Sequence, residues 1–336
     1  MNLECAIPAG MVPSYNRERA VKAGVHKKFL FSTWGGLGDQ ACAEPVIRFA
    51  KKKFRDREFY LVSEAPDLYS HIGFKEIIPV QKFKDDPNLQ DQFFTVNTIV
   101  PPTDLAWEFF SHMLTQPVDF ASQLAFGLSL PIADKNIVLE HGLSEEFMKE
   151  KFYLPWGEKV AVLHAGRHWP SKTFPADFWN SVITQLLAHG ITPILIGKDT
   201  GDNRGTVDVD AHGCIDLRNK TSLKEMIFIL QKTKCLISND SSPIHIAASG
   251  QAHIGFIASC KHPDYISHWR KNLNGLNEWA WRMKNLSLDG AWNHIDFNPV
   301  QDSEHGISIE TLPESLMRNL LPRPFDVATW ARGVFA

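Results

Sequence analysis

The sequence predicts an α/β chain made of two doubly wound, Rossmann-like units that face a central cleft. Three observations lead there. Short apolar runs alternate with stretches whose apolar residues recur at helical spacing, the rhythm of parallel strands joined by helical crossovers. That series occurs twice, on either side of a polar stretch around residues 143–158. The 336 residues also exceed what one hydrophobic core usually supports. The boundary is therefore drawn near residue 150, with a first domain over 1–150 and a second over 151–310. In such units ligands bind beyond the carboxyl ends of the strands, so the chemistry is sought in the loops there.

In the first half, "KKFLFSTW" (27–34) reads as a buried strand, "GGLGDQ" (35–40) as a turn and "ACAEPVIRFAKKKF" (41–54) as a helix. The lysines and arginine of that helix gather at its C-terminal end, where the dipole favours them. "EFYLVSE" (58–64) is a second strand, "DLYSHIG" a short helix, and "EIIPV" (76–80) a third strand. Residues 92–130 hold a further strand, "FTVNTIV", and helical "AWEFFSHML" and "DFASQLAFGL".

In the second half, "KVAVLHAG" (159–166) is a strand and "PADFWNSVITQLLAHG" (175–190) a helix stopped by glycine. "TPILIG" (192–197) and "CIDLR" are strands, "SLKEMIFILQKT" (222–233) a helix and "KCLISND" (234–240) a strand. A helix after Asp240 and a strand at "AHIGFIA" (252–258) complete the series. There is no repeat and no low-complexity tract.

Composition narrows the function classes. A formal net charge of −3 gives no global pull towards nucleic acid or an anionic membrane. The five cysteines are scattered and form no CxxC pair, which argues against a disulfide framework or zinc site and for reduced thiols. No apolar run approaches the ~18 residues of a membrane span. The first residues, "MNLECAIPAG", lack the pattern of a signal peptide. A cytoplasmic protein is expected.

Three loops at strand ends carry the candidate chemistry. In "GGLGDQ", Gly35, Gly36 and Gly38 permit close approach of a substrate to the backbone, with Gln40 beside them. The loop matches neither GxGxxG nor a P-loop. Asp39 is either an acid placed at a helix start by the dipole or a carboxylate available as a general base. "HAGRHWPSKTFPADFW" (164–179) offers Gly166, Arg167, His168 and Lys172, cations suited to a diphosphate unless the loop is merely solvated. "NDSSPIH" delivers Asp240, Ser241 and Ser242 to a helix start, with His245 one turn in. Backbone N–H groups, a dipole and two hydroxyls there suit an anion; the structural alternatives are a helix cap for Asp240 or a serine, and an interior histidine for His245.

Taken together, "GGLGD", the K-x-F-P-x-x-F-W run and "NDSSPIHIAASG" resemble glycosyltransferase family nine, the ADP-heptose:lipopolysaccharide heptosyltransferases, over roughly residues 28–260. The resemblance implies the GT-B architecture, with the nucleotide sugar held by the C-terminal domain and the acceptor by the N-terminal one. It also implies that the C-terminal residues 311–336 return as helices to the first domain. By resemblance, Asp39 is the catalytic base, Lys172 meets the donor phosphates, and Asp240, Ser241, Ser242 and His245 form the donor loop. Ser242 stands where the family pattern has glycine, and Ala165 and Gly166 stand where hydroxyl residues are common.

The expected activity is that of an inverting, metal-independent glycosyltransferase with no cofactor beyond a nucleotide-diphosphate sugar. A lipopolysaccharide or other surface glycan is the expected acceptor, with peripheral contact to a membrane surface. One alternative is a viral enzyme that glycosylates hydroxymethylated bases in DNA, using "KKKFRDR" (51–57) and residues 268–284 as a basic, aromatic face. Another is a non-catalytic nucleotide-sugar-binding module, which has no use for an acid at position 39. An NAD-dependent dehydrogenase is disfavoured by the first glycine turn.

Overall fold

The computed structural model describes residues 27–33, 36–86, 88–89, 92–97, 136–167, 172–199, 205–258, 278–282 and 321–336. They fall into two units that divide between Glu140 and His141, about ten residues before the expected boundary. The helices expected within 101–130 lie outside the described residues, as do Gly35 and His168.

In the first unit, β1 (Lys28–Thr33), β2 (Glu58–Ser63), β3 (Glu76–Ile78) and β4 (Phe94–Asn97) form a sheet in the order β3-β2-β1-β4, every pair parallel. Consecutive β1 residues from Phe29 to Thr33 are all buried, so both faces of the strand are covered, as a parallel sheet requires. Pro79 ends β3 two residues earlier than the strand read at 76–80, and the chain enters α2 (Val80–Asp85) instead.

Helix α1 (Leu37–Lys53) begins four residues before the expected start, taking Gly38 and Asp39 into its first turn. Its fully buried Glu44 accepts from Arg48 Nε at 2.7 Å, His71 Nε2 at 3.0 Å and the Val138 amide at 2.8 Å. These bonds satisfy the carboxylate and tie residues 136–138 to the helix. At the other end, the Lys51 ammonium donates to the Ile72 and Gly73 carbonyls. With a rise of 1.5 Å per residue, the lysines at 51–53 lie about 18–21 Å along the axis from Asp39. The basic run thus sits at the opposite end of α1 from the candidate base, and one support for a DNA acceptor falls away.

The second unit opens on α3 (Glu145–Phe152), a helix within what the sequence reading took as a polar boundary. The Ser144 hydroxyl caps it by accepting from the Phe147 amide at 3.1 Å, and Lys151 pairs with Glu225 at 2.5 Å. Its strands are β5 (Val160–His164), β7 (Thr192–Leu195), β9 (Ile215–Asp216), β10 (Cys235–Asn239), β11 (His253–Ala258) and β12 (Glu278–Arg282). The spatial order is β12-β11-β10-β5-β7-β9, all parallel. Numbered within the unit this is 3-2-1-4-5-6, the dinucleotide-fold order, whose switch point lies between its first and fourth strands. β6 (Gly166–Arg167) and β8 (Gly205–Thr206) form a separate antiparallel pair.

Helix α4 (Ala176–Ala188) lays Phe178, Trp179, Val182, Ile183 and Leu186 on the sheet and ends at Gly190 with φ +67°. Helix α5 (Leu223–Lys232) begins with a full capping box between Ser222 and Glu225. The C-terminal helix α7 (Pro324–Val334) belongs to the second unit. It packs on α4, and Leu321, Val327, Ala328 and Ala331 are buried in the same core as Trp179. The apolar stripe of α7 completes the core of the second unit. Among the described residues no helix is long and apolar enough to cross a membrane. Leu321→Ala should therefore destabilise the second unit by about 2–4 kcal/mol in denaturant unfolding, the usual cost of a buried leucine.

Candidate active site

The switch point of the second sheet lies where β5 and β10 end side by side. All five residues of each strand are buried, and each strand ends on a polar residue, His164 on β5 and Asn239 on β10. Beyond them the chain leaves the sheet in two loops that must satisfy their own polar groups.

Asn239 does this for both. Its Oδ1 accepts from the Gly166 amide at 3.1 Å, and its Nδ2 donates to the Gly166 carbonyl at 2.9 Å and the Lys172 carbonyl at 2.6 Å. One carboxamide thereby fixes both the start and the far side of the loop that carries Lys172. At the other end of that residue, the Lys172 ammonium lies 2.5 Å from Asp240 Oδ2, both groups nearly buried.

His164 occupies the adjoining slot, with Nδ1 3.0 Å from the Ser241 hydroxyl and 3.5 Å from that of Ser238. Burial pushes its imidazole down to about 4, against a partial rise from the bond to Asn239, so the ring is neutral at physiological pH. Ser241 is at the N-cap of α6 (Ser242–Ala247) yet makes no capping bond. Its hydroxyl turns inward to His164, Ser238 at 3.1 Å, and the Asn239 backbone and side-chain oxygens at 3.2 Å. The cap expected there is thus absent at Ser241. Ser242 is half-buried at the first helical position, and its hydroxyl makes no hydrogen bond among the described residues. His245 is half-buried, and Arg167 is partly exposed on β6.

The role expected of Gly166 changes in kind. Both its backbone polar groups are taken by Asn239, so it offers a missing side chain rather than a free amide. A Cβ there would stand 2.6 Å from Asn239 Oδ1 and 2.6 Å from His164 Cε1.

In the first unit, Asp39 is exposed in the first turn of α1, directly after β1 and at the carboxyl edge of its sheet. A Cβ at Gly36 would lie 2.6 Å from Asp39 Oδ2, so the glycine leaves room for the carboxylate to fold back over the turn. Gly38 is buried against the sheet. Gln40 is fully buried; its Oε1 accepts from Ser63 Oγ at 2.8 Å and its carbonyl from the Tyr69 hydroxyl at 2.6 Å. Gln40 therefore fastens the helix start to β2 and is closed off from a ligand.

The structure brings Gly166, Lys172, Asp240 and Ser241 together and adds His164 and Asn239, which the sequence reading passed over. Their signal was available: a polar residue as the last member of an otherwise apolar buried strand.

Two parallel α/β units, the second in the dinucleotide-fold order, are the fold class of the GT-B type. The family model of glycosyltransferase family 9 (heptosyltransferase) matches residues 102–295, more than half of the chain, and the chain belongs to that family. It is a nucleotide-sugar glycosyltransferase. The fold is similar to that of a family 9 glycosyltransferase from Veillonella parvula, at 12% identity and TM-score 0.63 over 92% of this chain and 97% of that one. The E. coli ADP-heptose lps heptosyltransferase II is similar at 15% identity and TM-score 0.54, over 83% of this chain and 97% of that one. The iron-containing dodecameric glycosyltransferase TibC of enterotoxigenic E. coli is similar at 13% identity and TM-score 0.57, over 92% of this chain and 77% of that one. No curated protein sequence matches the chain.

Gly166→Ala should cost about 1–3 kcal/mol in chemical denaturation, because neither Asn239 nor His164 has anywhere to retreat. Neutral His164 also makes stability acid-sensitive. Its folded value of about 4 lies below the unfolded value near 6.5. The unfolded chain takes up the proton first, so stability present above about pH 6.5 is lost as pH falls towards 4, up to about 3 kcal/mol. His164→Asn should flatten that part of the pH–stability curve relative to the unsubstituted protein.

Proposed function

We propose that the chain is an inverting, metal-independent glycosyltransferase that moves a sugar from a nucleotide-diphosphate sugar to a hydroxyl of a lipopolysaccharide or other surface glycan. The observation that carries the donor side is the nearly buried Lys172–Asp240 pair at the switch point of the second sheet. A burial cost of this kind is seldom repaid as stability, and its place at a ligand-binding edge supplies the other reason to retain it.

In this reading the Asp39 carboxylate takes the proton of the acceptor hydroxyl as its oxygen attacks the anomeric carbon. The bond from that carbon to the diphosphate oxygen breaks, and the configuration inverts. The departing nucleoside diphosphate gains negative charge, which Lys172 meets, with Arg167 and the Ser242 hydroxyl as further donors. Lys172 thus does the work that a divalent cation does in other transferases. The glycan acceptor is supported by the heptosyltransferase description of the family model. A glycan that grows on a lipid brings the enzyme to the cytoplasmic face of a membrane as a peripheral visitor.

Asp39→Asn should lower turnover by about 10²–10⁴ while product diphosphate still binds within about threefold of its normal affinity. Turnover and calorimetric binding measured on the same variant check this. Near-normal turnover would remove Asp39 from the mechanism.

A further inference from the structure

We propose that His164 is a positioning residue for the donor turn: the hydrogen bond between its Nδ1 and the Ser241 hydroxyl holds residues 239–241, and through them Lys172, on the ends of β5 and β10. The inference rests on the donor reading above and adds to it a residue that never touches the sugar nucleotide.

The slot around the imidazole is specific in shape. A Cβ at Gly166 would meet Cε1 at 2.6 Å, and one at Gly197, where φ is +139°, would meet Cδ2 at 3.4 Å. Glycines thus line both flanks of the ring. Among the described residues two hydroxyls stand against it, Ser241 at 3.0 Å and Ser238 at 3.5 Å, both at Nδ1. A hydroxyl can donate to or accept from Nδ1, so the bond forms with either neutral tautomer of the ring.

Ser241 carries one hydroxyl proton and has four candidate acceptors inside the protein: His164 Nδ1, Ser238 Oγ and two oxygens of Asn239. Asn239 Oδ1 already takes the Gly166 amide, and the Ser238 hydroxyl can donate as well as accept. His164 Nδ1 is the nearest of the four, and whichever group donates, the bond turns the Ser241 hydroxyl towards the strand ends. Ser241 is therefore committed inward, and the residue before it, Asp240, faces the Lys172 ammonium while Asn239 grips the Lys172 carbonyl. Lys172 is held at both ends by the turn that His164 locks.

The test compares two substitutions that differ in where they place a hydrogen-bonding group. Asparagine puts its oxygen near the Nδ1 position, whereas glutamine reaches the Nε2 position. Binding of ADP, UDP, GDP and CDP is measured by calorimetry on the full chain, and the nucleotide that the unsubstituted protein binds most tightly is followed. His164→Asn should stay within about threefold of the unsubstituted affinity, while His164→Gln and Ser241→Ala each weaken it about tenfold. The two losses should not multiply in the double variant, because both break one bond. Ser241→Thr, which keeps the hydroxyl, should bind normally, and the Ala/Thr pair decides the matter should a His164 variant fail to fold. Equal affinity of the Asn and Gln variants, normal binding by Ser241→Ala, or multiplying losses would overturn the positioning role. Lys172→Met separates the two readings. Unchanged binding there, or no binding of any of the four by the unsubstituted protein, ends the donor reading itself; lost binding there beside a flat His164 series ends only this one.

Discussion

The second unit depends on a hydrogen-bonding problem that its topology creates. At a switch point the two central strands send their chains to opposite faces of the sheet, and the ladder between them stops. β5 and β10 part company after His164 and Asn239, and Gly166 turns away to pair with Thr206. The backbone beyond still has to be satisfied. Asn239 meets the need with one acceptor and two donors, all three used. An aspartate could not donate, and a leucine would leave the amide and two carbonyls unmet. The carboxamide therefore holds Gly166 and Lys172 at one edge of the parallel sheet, and a lysine fixed there is what makes that edge usable as a site.

Charge is handled differently in the two units, and the difference separates structure from function. Glu44 in the first unit is as buried as Asp240 in the second, but it accepts from an arginine, a histidine and a backbone amide. Each of those donors belongs to the scaffold, and the result is a strap between α1 and residues 136–138. Asp240 instead faces the Lys172 ammonium at the edge where the fold binds ligands.

Much of this was legible in the sequence because buried parallel strands are near-continuous apolar runs, and runs such as "VAVLH" and "CLISN" leave little choice. What was not legible has identifiable causes. Helix α3 hid because Glu145, Glu146, Lys149, Glu150 and Lys151 outnumber its single buried residue, Met148, and so mimic a linker. The start of α1 was set too late because glycines suggest a loop, although Gly38 is there to press the first turn against the sheet. That α7 contributes to the core around Trp179 was not legible, because an apolar stripe records only that a core exists, not which one. The Ser241–Ser242 pair looked like two equivalent donors; only the inward partners of Ser241 separate them. Strand ends were searched for loops and not for their last residue, which is how His164 and Asn239 escaped.

The same geometry reweighs the anion site expected at α6. That helix has six residues, a length of about 9 Å, so its opposite half-charges lie close together and largely cancel at a distance. A diphosphate with two or three charges needs more than this, and Lys172 brings a full positive charge to that edge. On the proposed reading Asp240 neutralises that charge until a ligand arrives. A monovalent solvent anion would have to displace a carboxylate for little gain, whereas a diphosphate can offer several oxygens to the lysine and the Ser242 hydroxyl at once. The ion pair then acts as a filter as well as an anchor. Its effectiveness depends on the turn staying put while Lys172 changes partners, which returns the argument to the carboxamide and the neutral ring that hold it.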